Sequence, residues 1–259
     1  MRAGFDLSGR VIWVTGSSRG IGRGVAEHLS AAGAEIVVHA RTAEALAAVI
    51  AKIGGHGVVC DVRDEAAVAA AVESIGKRHG RLDGVVANVG GAAPGALADL
   101  TAERFRKQLD LNLTGSFNVA RAAYPLLRES RGAAVLVSAT AAGSATPSFG
   151  AYGASKAAVE HLTRSLAAEW GPEVRVNCVA PGLIRTEGSL SAVFRGDESL
   201  VAKAGSTTAV GRIGEPEDVA YACHYLLSPA SSYVSGAVLV VDGGPTEGPT
   251  QRILRALET

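Results

Sequence analysis

The sequence predicts one α/β domain in which a parallel sheet is covered by helices on both faces. Three observations lead there. Short apolar runs alternate with helical stretches along the whole chain, and each run is apolar on both of its faces, as a doubly covered parallel strand must be. No Pro/Gly/Ser linker interrupts the alternation. Glycine is in surplus, 32 of 259 residues, or about 12% against roughly 7% in average proteins. These glycines follow no three-residue period and the chain is 47% hydrophobic, which excludes a fibrous or disordered explanation.

In order, Val11 to Thr15 reads as a buried strand, and Ile21 to Ala32 as a helix closed by Gly33. Glu35 to His39 is a second strand, followed by an Ala-rich helix from Thr42, its expected N-cap, to Ile53. Gly57 to Cys60 is a third strand, Asp64 to His79 a helix, and Leu82 to Ala87 a fourth strand. A long helical region from Thr101 to Leu127 precedes a fifth strand, Ala134 to Ser138. The pattern closes with a helix from Ala151 to Trp170, a strand from Val174 to Val179, a helix from Pro216 to Leu227 and a strand from Ala237 to Val241. Residues 183–212 have weak periodicity and read as a substrate lid, and 245–259 as a C-terminal tail.

Composition removes several functions. With 25 basic and 25 acidic residues and no basic run, the chain lacks the charge to grip nucleic acid or an anionic membrane. Cys60, Cys178 and Cys223 have no metal or disulfide spacing, which fits a cytoplasmic protein. No apolar run reaches the roughly 18 residues of a membrane span, and the start is too polar for a signal peptide. His28, His39, His56, His79, His161 and His224 have no metal-ligand spacing; all six read as structural, with no catalytic metal.

The first strand runs into Thr15-Gly-Ser-Ser-Arg-Gly-Ile-Gly22 and then a helix. Gly16 suits the tight turn, Gly20 the approach of backbone to a pyrophosphate, and Gly22 close helix packing. Ser18, Arg19 and Ile21 complete a phosphate cradle at a helix N-terminus. The second strand ends Val38-His-Ala-Arg41 with no carboxylate before Glu44. Arg41 and Arg19 therefore favour a 2′-phosphate, hence NADP(H) over NAD(H).

From here the chain resembles the short-chain dehydrogenase/reductase family nearly end to end. The glycine turn, Asp61-Val62, Asn88 and Gly90 in Ala-Asn-Val-Gly, Asn112 in Asn-Leu-Thr-Gly, Tyr152 with Lys156, and Pro181-Gly182 with Ile184 and Thr186 match its elements in order. The resemblance implies a doubly wound, Rossmann-type sheet of about seven strands, a nicotinamide cofactor held by these residues, and a homotetramer or homodimer. It also implies that Lys156 holds the nicotinamide ribose and that Asn112 helps hold a water linking Lys156 to solvent.

Residue chemistry supports the same site. Reducing a carbonyl by hydride transfer leaves an alkoxide that needs a proton from a positioned acid. Tyr152 can give it, and an ammonium at i+4, Lys156, is expected to lower the phenol's pKa from about 10. The family's substrate-orienting serine falls at Ala139, so one of its neighbours, Ser138 or Thr140, is expected to supply that hydroxyl. Val137-Ser-Ala-Thr140 and three later stretches resemble the 2,4-dienoyl-CoA reductase branch, although that branch lacks the tyrosine present here.

Small residues in 90–96 and 141–149 leave room for a mid-sized, largely apolar substrate. Leu190, Val193, Phe194, Leu200 and Val201 could form an apolar cover, Arg185, Arg195 and Lys203 could meet an anion, and Arg252, Ile253, Leu254 and Leu257 have spacing suited to docking on a partner subunit. The expectation is a ketone reductase or secondary-alcohol dehydrogenase using NADP(H). The alternatives are an enoyl- or dienoyl-thioester reductase and a catalytically silent NADP(H)-binding sensor or scaffold.

Overall fold

The apolar runs pair into one sheet: β1 (Val11–Val14), β2 (Glu35–Ala40), β3 (His56–Val59), β4 (Gly84–Ala87), β5 (Ala133–Val137), β6 (Arg175–Pro181) and β7 (Val238–Val241). In the computed structural model, which describes residues 3–245, all these strands pair in parallel in the order β3-β2-β1-β4-β5-β6-β7. The chain builds outward from β1 to β3 and then returns to lay β4 on the other side of β1. A crevice opens at such a reversal, beyond the carboxyl ends of the strands, and open α/β sheets bind ligands there.

Strand alternation divides the core into two layers. Ile12 and Val14 of β1 face α1 (Gly20–Ala31) and α9 (Pro216–Leu227), packing in one cluster with Val25, Leu29, Val219 and Leu226. Val11 and Trp13 face the other side, in a cluster with Val68 and Ile75 of α3 (Glu65–His79), Val119 of α5 (Gly115–Ser130) and Val159 of α6 (Gly150–Trp170). Helix ends follow local chemistry. Asp64 caps α3 by accepting from Ala67 N–H at 3.0 Å, and Gly80 closes it in the left-handed region. Pro216 opens α9 at a position where its missing N–H costs no intrahelical bond.

Several local expectations are corrected. Thr42 caps nothing: a 3-10 turn, Glu44–Leu46, comes first, with Leu46 buried beneath it, and α2 is only Ala47–Ile53. The long helix predicted from Thr101 is two, α4 (Ala102–Leu109) and α5, joined by a π-helical turn at Asp110–Thr114. The segment 183–212, read as irregular, contains α7 (Glu187–Ala192) and α8 (Glu198–Gly205). Its buried residues Phe194 and Val201 pack with Ile213 and Leu190, while Val193 and Leu200 stay exposed. Arg185 is held by Glu198 at 2.7 Å. The tail residues 252–257 lie outside the described residues. Among the described residues, no helix is long and apolar enough to cross a membrane.

Candidate active site

The first part of the site is the turn between β1 and α1. Gly16 and Gly20 have φ of +65° and +54°. A Cβ on Gly22 would lie 2.3 Å from Gly16 O and 2.6 Å from Asn88 Nδ2, so only glycine lets α1 start this close to β1. Thr15 and Asn88 lock the turn to β4: Thr15 Oγ1 donates to Val86 O at 3.2 Å, and Asn88 Nδ2 donates to Thr15 O at 3.0 Å. Arg19 precedes α1 without giving it a side-chain cap, leaving the helix N-terminus to an incoming anion. Ser18, Gly20 and Ile21 are half-buried around it. This cradle, with its uncapped helix and required glycine, fits a dinucleotide pyrophosphate.

Arg19 and Arg41 are both exposed at the rim. Asp61 is gripped by Arg63, whose Nη2 lies 2.6 Å from Oδ2 and whose Nε lies 3.0 Å from Oδ1. That guanidinium holds the Asp61 carboxyl down at about 2. Val62 is buried against Gly115, and its carbonyl accepts from Asn118 Nδ2 at 3.0 Å.

The second part joins α6 to the loop after β4. Lys156 is 3% exposed and donates from Nζ to Val137 O at 2.8 Å. Burial pushes its ammonium down to about 8. Asn112, at the centre of the π-helical turn, accepts from Gly91 N–H at 2.9 Å and donates to Gly91 O and Gln108 O at 3.0 Å each. Its amide thus clamps the loop that faces Lys156. Tyr152 lies on the same helix, with Lys156 Nζ 5.8 Å from its ring centroid. Its hydroxyl makes no hydrogen bond among the described residues. Burial raises the Tyr152 pKa, the reverse of the expected lowering, because the phenol is desolvated while the ammonium is turned to Val137 O.

A Cβ on Gly90 would come within 2.8 Å of Asn112 Oδ1 and 2.9 Å of Lys156 Nζ. Gly90→Ala should therefore displace both groups and lower turnover by roughly 10²-fold. Steady-state kinetics at saturating cofactor would check this, and turnover within twofold of wild type would count against the placement.

The two candidate hydroxyls separate. Ser138 is 3% exposed, and its Oγ donates to Glu160 Oε1 at 2.8 Å, away from solvent. Thr140 opens the 3-10 turn Thr140–Ala142, half-buried, with its hydroxyl free of any hydrogen bond among the described residues. A hollow of about 200 Å³ lies between the loop 141–149 and α6, lined by Ala141, Phe149, Gly153 and Ala157 among others.

After β6, which Pro181 ends, Gly182 N–H donates to Val241 O at 2.9 Å, and Ile184 is buried. Thr186 caps α7 through Ser189, with its methyl placed 3.4 Å from where a Cβ on Gly20 would stand. Arg23 of α1 pairs with Glu187 at 2.7 Å, fastening α7 to the helix behind the glycine turn.

Sequence reasoning missed three contributors. Glu160 and Arg63 hold predicted residues, and His39 lies against the glycine turn. Its place two residues before Arg41 was the one available signal. Four other histidines form two pairs, His28 with His224 at 3.0 Å and His56 with His79 at 3.1 Å. The three cysteines are buried and unpaired. Among the described residues, no group of three or more metal-ligating side chains could hold an ion.

Comparison with known proteins adds independent information. A family model described as enoyl-(acyl carrier protein) reductase matches residues 16–246. A tropinone reductase homolog of Arabidopsis thaliana is 36% identical over 251 residues, covering 93% of this chain and 94% of that protein. The 2,5-dichloro-2,5-cyclohexadiene-1,4-diol dehydrogenase of Sphingobium indicum is 39% identical over 251 residues, with 93% and 98% covered. A solved structure of 7α-hydroxysteroid dehydrogenase, in complex with NADH and 7-oxo glycochenodeoxycholic acid, superposes with a TM-score of 0.88 at 31% identity, covering 96% of this chain and 98% of that one.

Proposed function

The chain belongs to the short-chain dehydrogenase/reductase family, and from that membership we propose that it is an NADP(H)-dependent oxidoreductase interconverting a ketone and a secondary alcohol. The substrate is mid-sized and largely apolar. The observation that carries the reading is the unengaged Tyr152 hydroxyl on the same helix as buried Lys156, at the carboxyl ends of the strands. The relatives named for a cyclic diol and a hydroxysteroid support alcohol and ketone chemistry.

A bound nicotinamide would supply or accept the hydride. The glycine turn from Gly16 to Gly22 would hold the pyrophosphate, Asp61 and Val62 the adenine side, and Asn88, Gly90, Pro181, Gly182, Ile184 and Thr186 the remainder. For the 2′-phosphate, Arg41 and Arg19 are the cationic donors. The hydroxysteroid dehydrogenase complex holds NADH, but the end of β2 here carries no carboxylate to accept from a ribose 2′-hydroxyl.

Tyr152 Oη delivers the proton to the substrate oxygen as negative charge develops there. The raised phenol pKa keeps that proton in place at neutral pH in the reductive direction. Lys156 holds positive charge beside the phenol and the nicotinamide ribose, and Asn112 fixes the loop opposite. Thr140, not Ser138, orients the substrate oxygen, since the Ser138 hydroxyl is committed to Glu160.

A second reading, reduction of an enoyl thioester, is favoured by Ala139 at the usual serine position and by the description of the matching family model. One assay separates the two: cofactor oxidation followed with ketones and with enoyl thioesters, using NADPH and NADH in parallel. The expected result is ketone turnover with NADPH favoured at least tenfold in kcat/KM. Turnover of enoyl thioesters alone would establish the second reading, and tight NADPH binding with no turnover of either would mark a sensor or scaffold.

A further inference from the structure

The three segments expected to hold the adenosine half of a dinucleotide meet at one buried side chain, His39 of β2, which is 1% exposed. Its Nδ1 lies 2.9 Å from Gly16 N, and its Nε2 lies 3.1 Å from Cys60 O. An amide N–H can only donate and a carbonyl can only accept. The pair therefore fixes one tautomer, neutral imidazole with its proton on Nε2. The backbone doubles the link, since His39 N–H donates to Ser17 Oγ at 2.8 Å and Ser17 N–H donates to His39 O at 3.0 Å. One residue thus ties the glycine turn, the strand end that carries Arg41, and the segment that leads into Asp61.

We infer that His39 is a positioning residue for the dinucleotide, setting the glycine turn only while its ring is neutral, so that cofactor affinity falls when the ring takes a second proton. Protonated Nδ1 would point its hydrogen at the Gly16 N–H, donor against donor, and the turn would have to move. Burial already disfavours the charged ring. Among the described residues the surrounding groups are few. Trp13 of β1 lies edge-on with centroids 6.1 Å apart, the glycine turn offers only the Gly16 N–H and Ser17, and Arg41 is exposed on the same strand end. From beyond β3 come the Cys60 thiol, raised to about 11, and Asp61, the one carboxylate among the described residues that acts on the ring, itself held by Arg63.

The inference rests on the dinucleotide reading, and its test keeps the two apart. Binding of NADP⁺ and of NAD⁺ is measured by titration calorimetry between pH 8 and pH 5.5 for wild type, His39→Asn and His39→Leu. In Asn the Oδ1 takes the place of Nδ1 as acceptor for Gly16 N–H but cannot be protonated in this range. At pH 8 His39→Asn should bind within about threefold of wild type and His39→Leu at least tenfold more weakly. On acidification wild type should lose affinity, approaching tenfold per pH unit below the imidazole pKa. His39→Asn should lose only what titration of the ligand's own phosphate accounts for, which the comparison of NADP⁺ with NAD⁺ isolates. An acid loss in His39→Asn equal to wild type, or wild-type affinity in a folded His39→Leu, would overturn the inference. If wild type binds neither dinucleotide at pH 8, the dinucleotide reading itself fails, and this inference with it.

Discussion

Replacing Tyr152 with Phe is expected to lower kcat for ketone reduction by roughly 10²–10⁴-fold, the range assigned to one positioned proton donor. The change removes a single oxygen that bonds to nothing among the described residues, so neither the fold nor the dinucleotide cradle loses an interaction. Melting temperature and NADP⁺ affinity should therefore stay close to wild type, which separates lost chemistry from lost structure. Turnover surviving within tenfold would sink the proton-donor assignment. If ketone turnover were absent in wild type and enoyl turnover survived the substitution, the thioester reading would replace it.

Lys156→Met should move activity and stability in opposite directions. Turnover falls, because the buried charge beside the phenol is gone. Stability at pH 7 rises, because a buried ammonium pushed from 10.5 to about 8 carries roughly 3 kcal/mol of burial cost. The lost bond to Val137 O takes back about 1 kcal/mol. The net gain corresponds to an increase of several degrees in Tm for a chain of this length. The sign can be checked by pH. Between about 8 and 10.5 the unfolded wild type binds the proton that the folded wild type has released, so wild-type stability climbs as pH rises through that window. The advantage of the Met variant should be full below pH 8 and largely gone by pH 10.5. Calorimetric scans at pH 7 and pH 10.5 test this, and a variant less stable than wild type at both would refute the cost assigned to burying Lys156.

Strand and helix order was legible because periodicity is local. The run Val-Ile-Trp-Val and the glycine turn after it announce strand, turn and helix within twelve residues. The π-helical turn was not, since Asp110-Leu-Asn-Leu-Thr114 has the side-chain pattern of an α-helix and differs only in backbone pairing. Thr42 had the chemistry of a cap but not its place, because a tighter turn precedes the helix. In the candidate site, the nearness of Tyr152 and Lys156 on one helix is readable from their i,i+4 spacing. The choice between Ser138 and Thr140 was not, as it hangs on Glu160, twenty-two residues further along and on another element. The sequence reads His39 as structural and gives it no partner, since Gly16 and Cys60 lie on segments that only the folded sheet brings together.

The return of the chain from β3 to β4 also sets an order in time. The glycine turn, His39, Arg41 and Asp61 all fall within the first 61 residues, on strands that pair as neighbours early in the chain. Asn112, Thr140, Tyr152 and Lys156 come from later elements, and they face the earlier group only when β4 has docked on β1 and β5 on β4. Parallel pairings of this kind close long loops and form slowly, and domains emerge from the ribosome N-terminal end first. A partly made chain can therefore form the glycine turn and the strand end that carries Arg41 before Asn112, Tyr152 and Lys156 have been joined to it, so the two parts of the candidate site come into being one after the other rather than together.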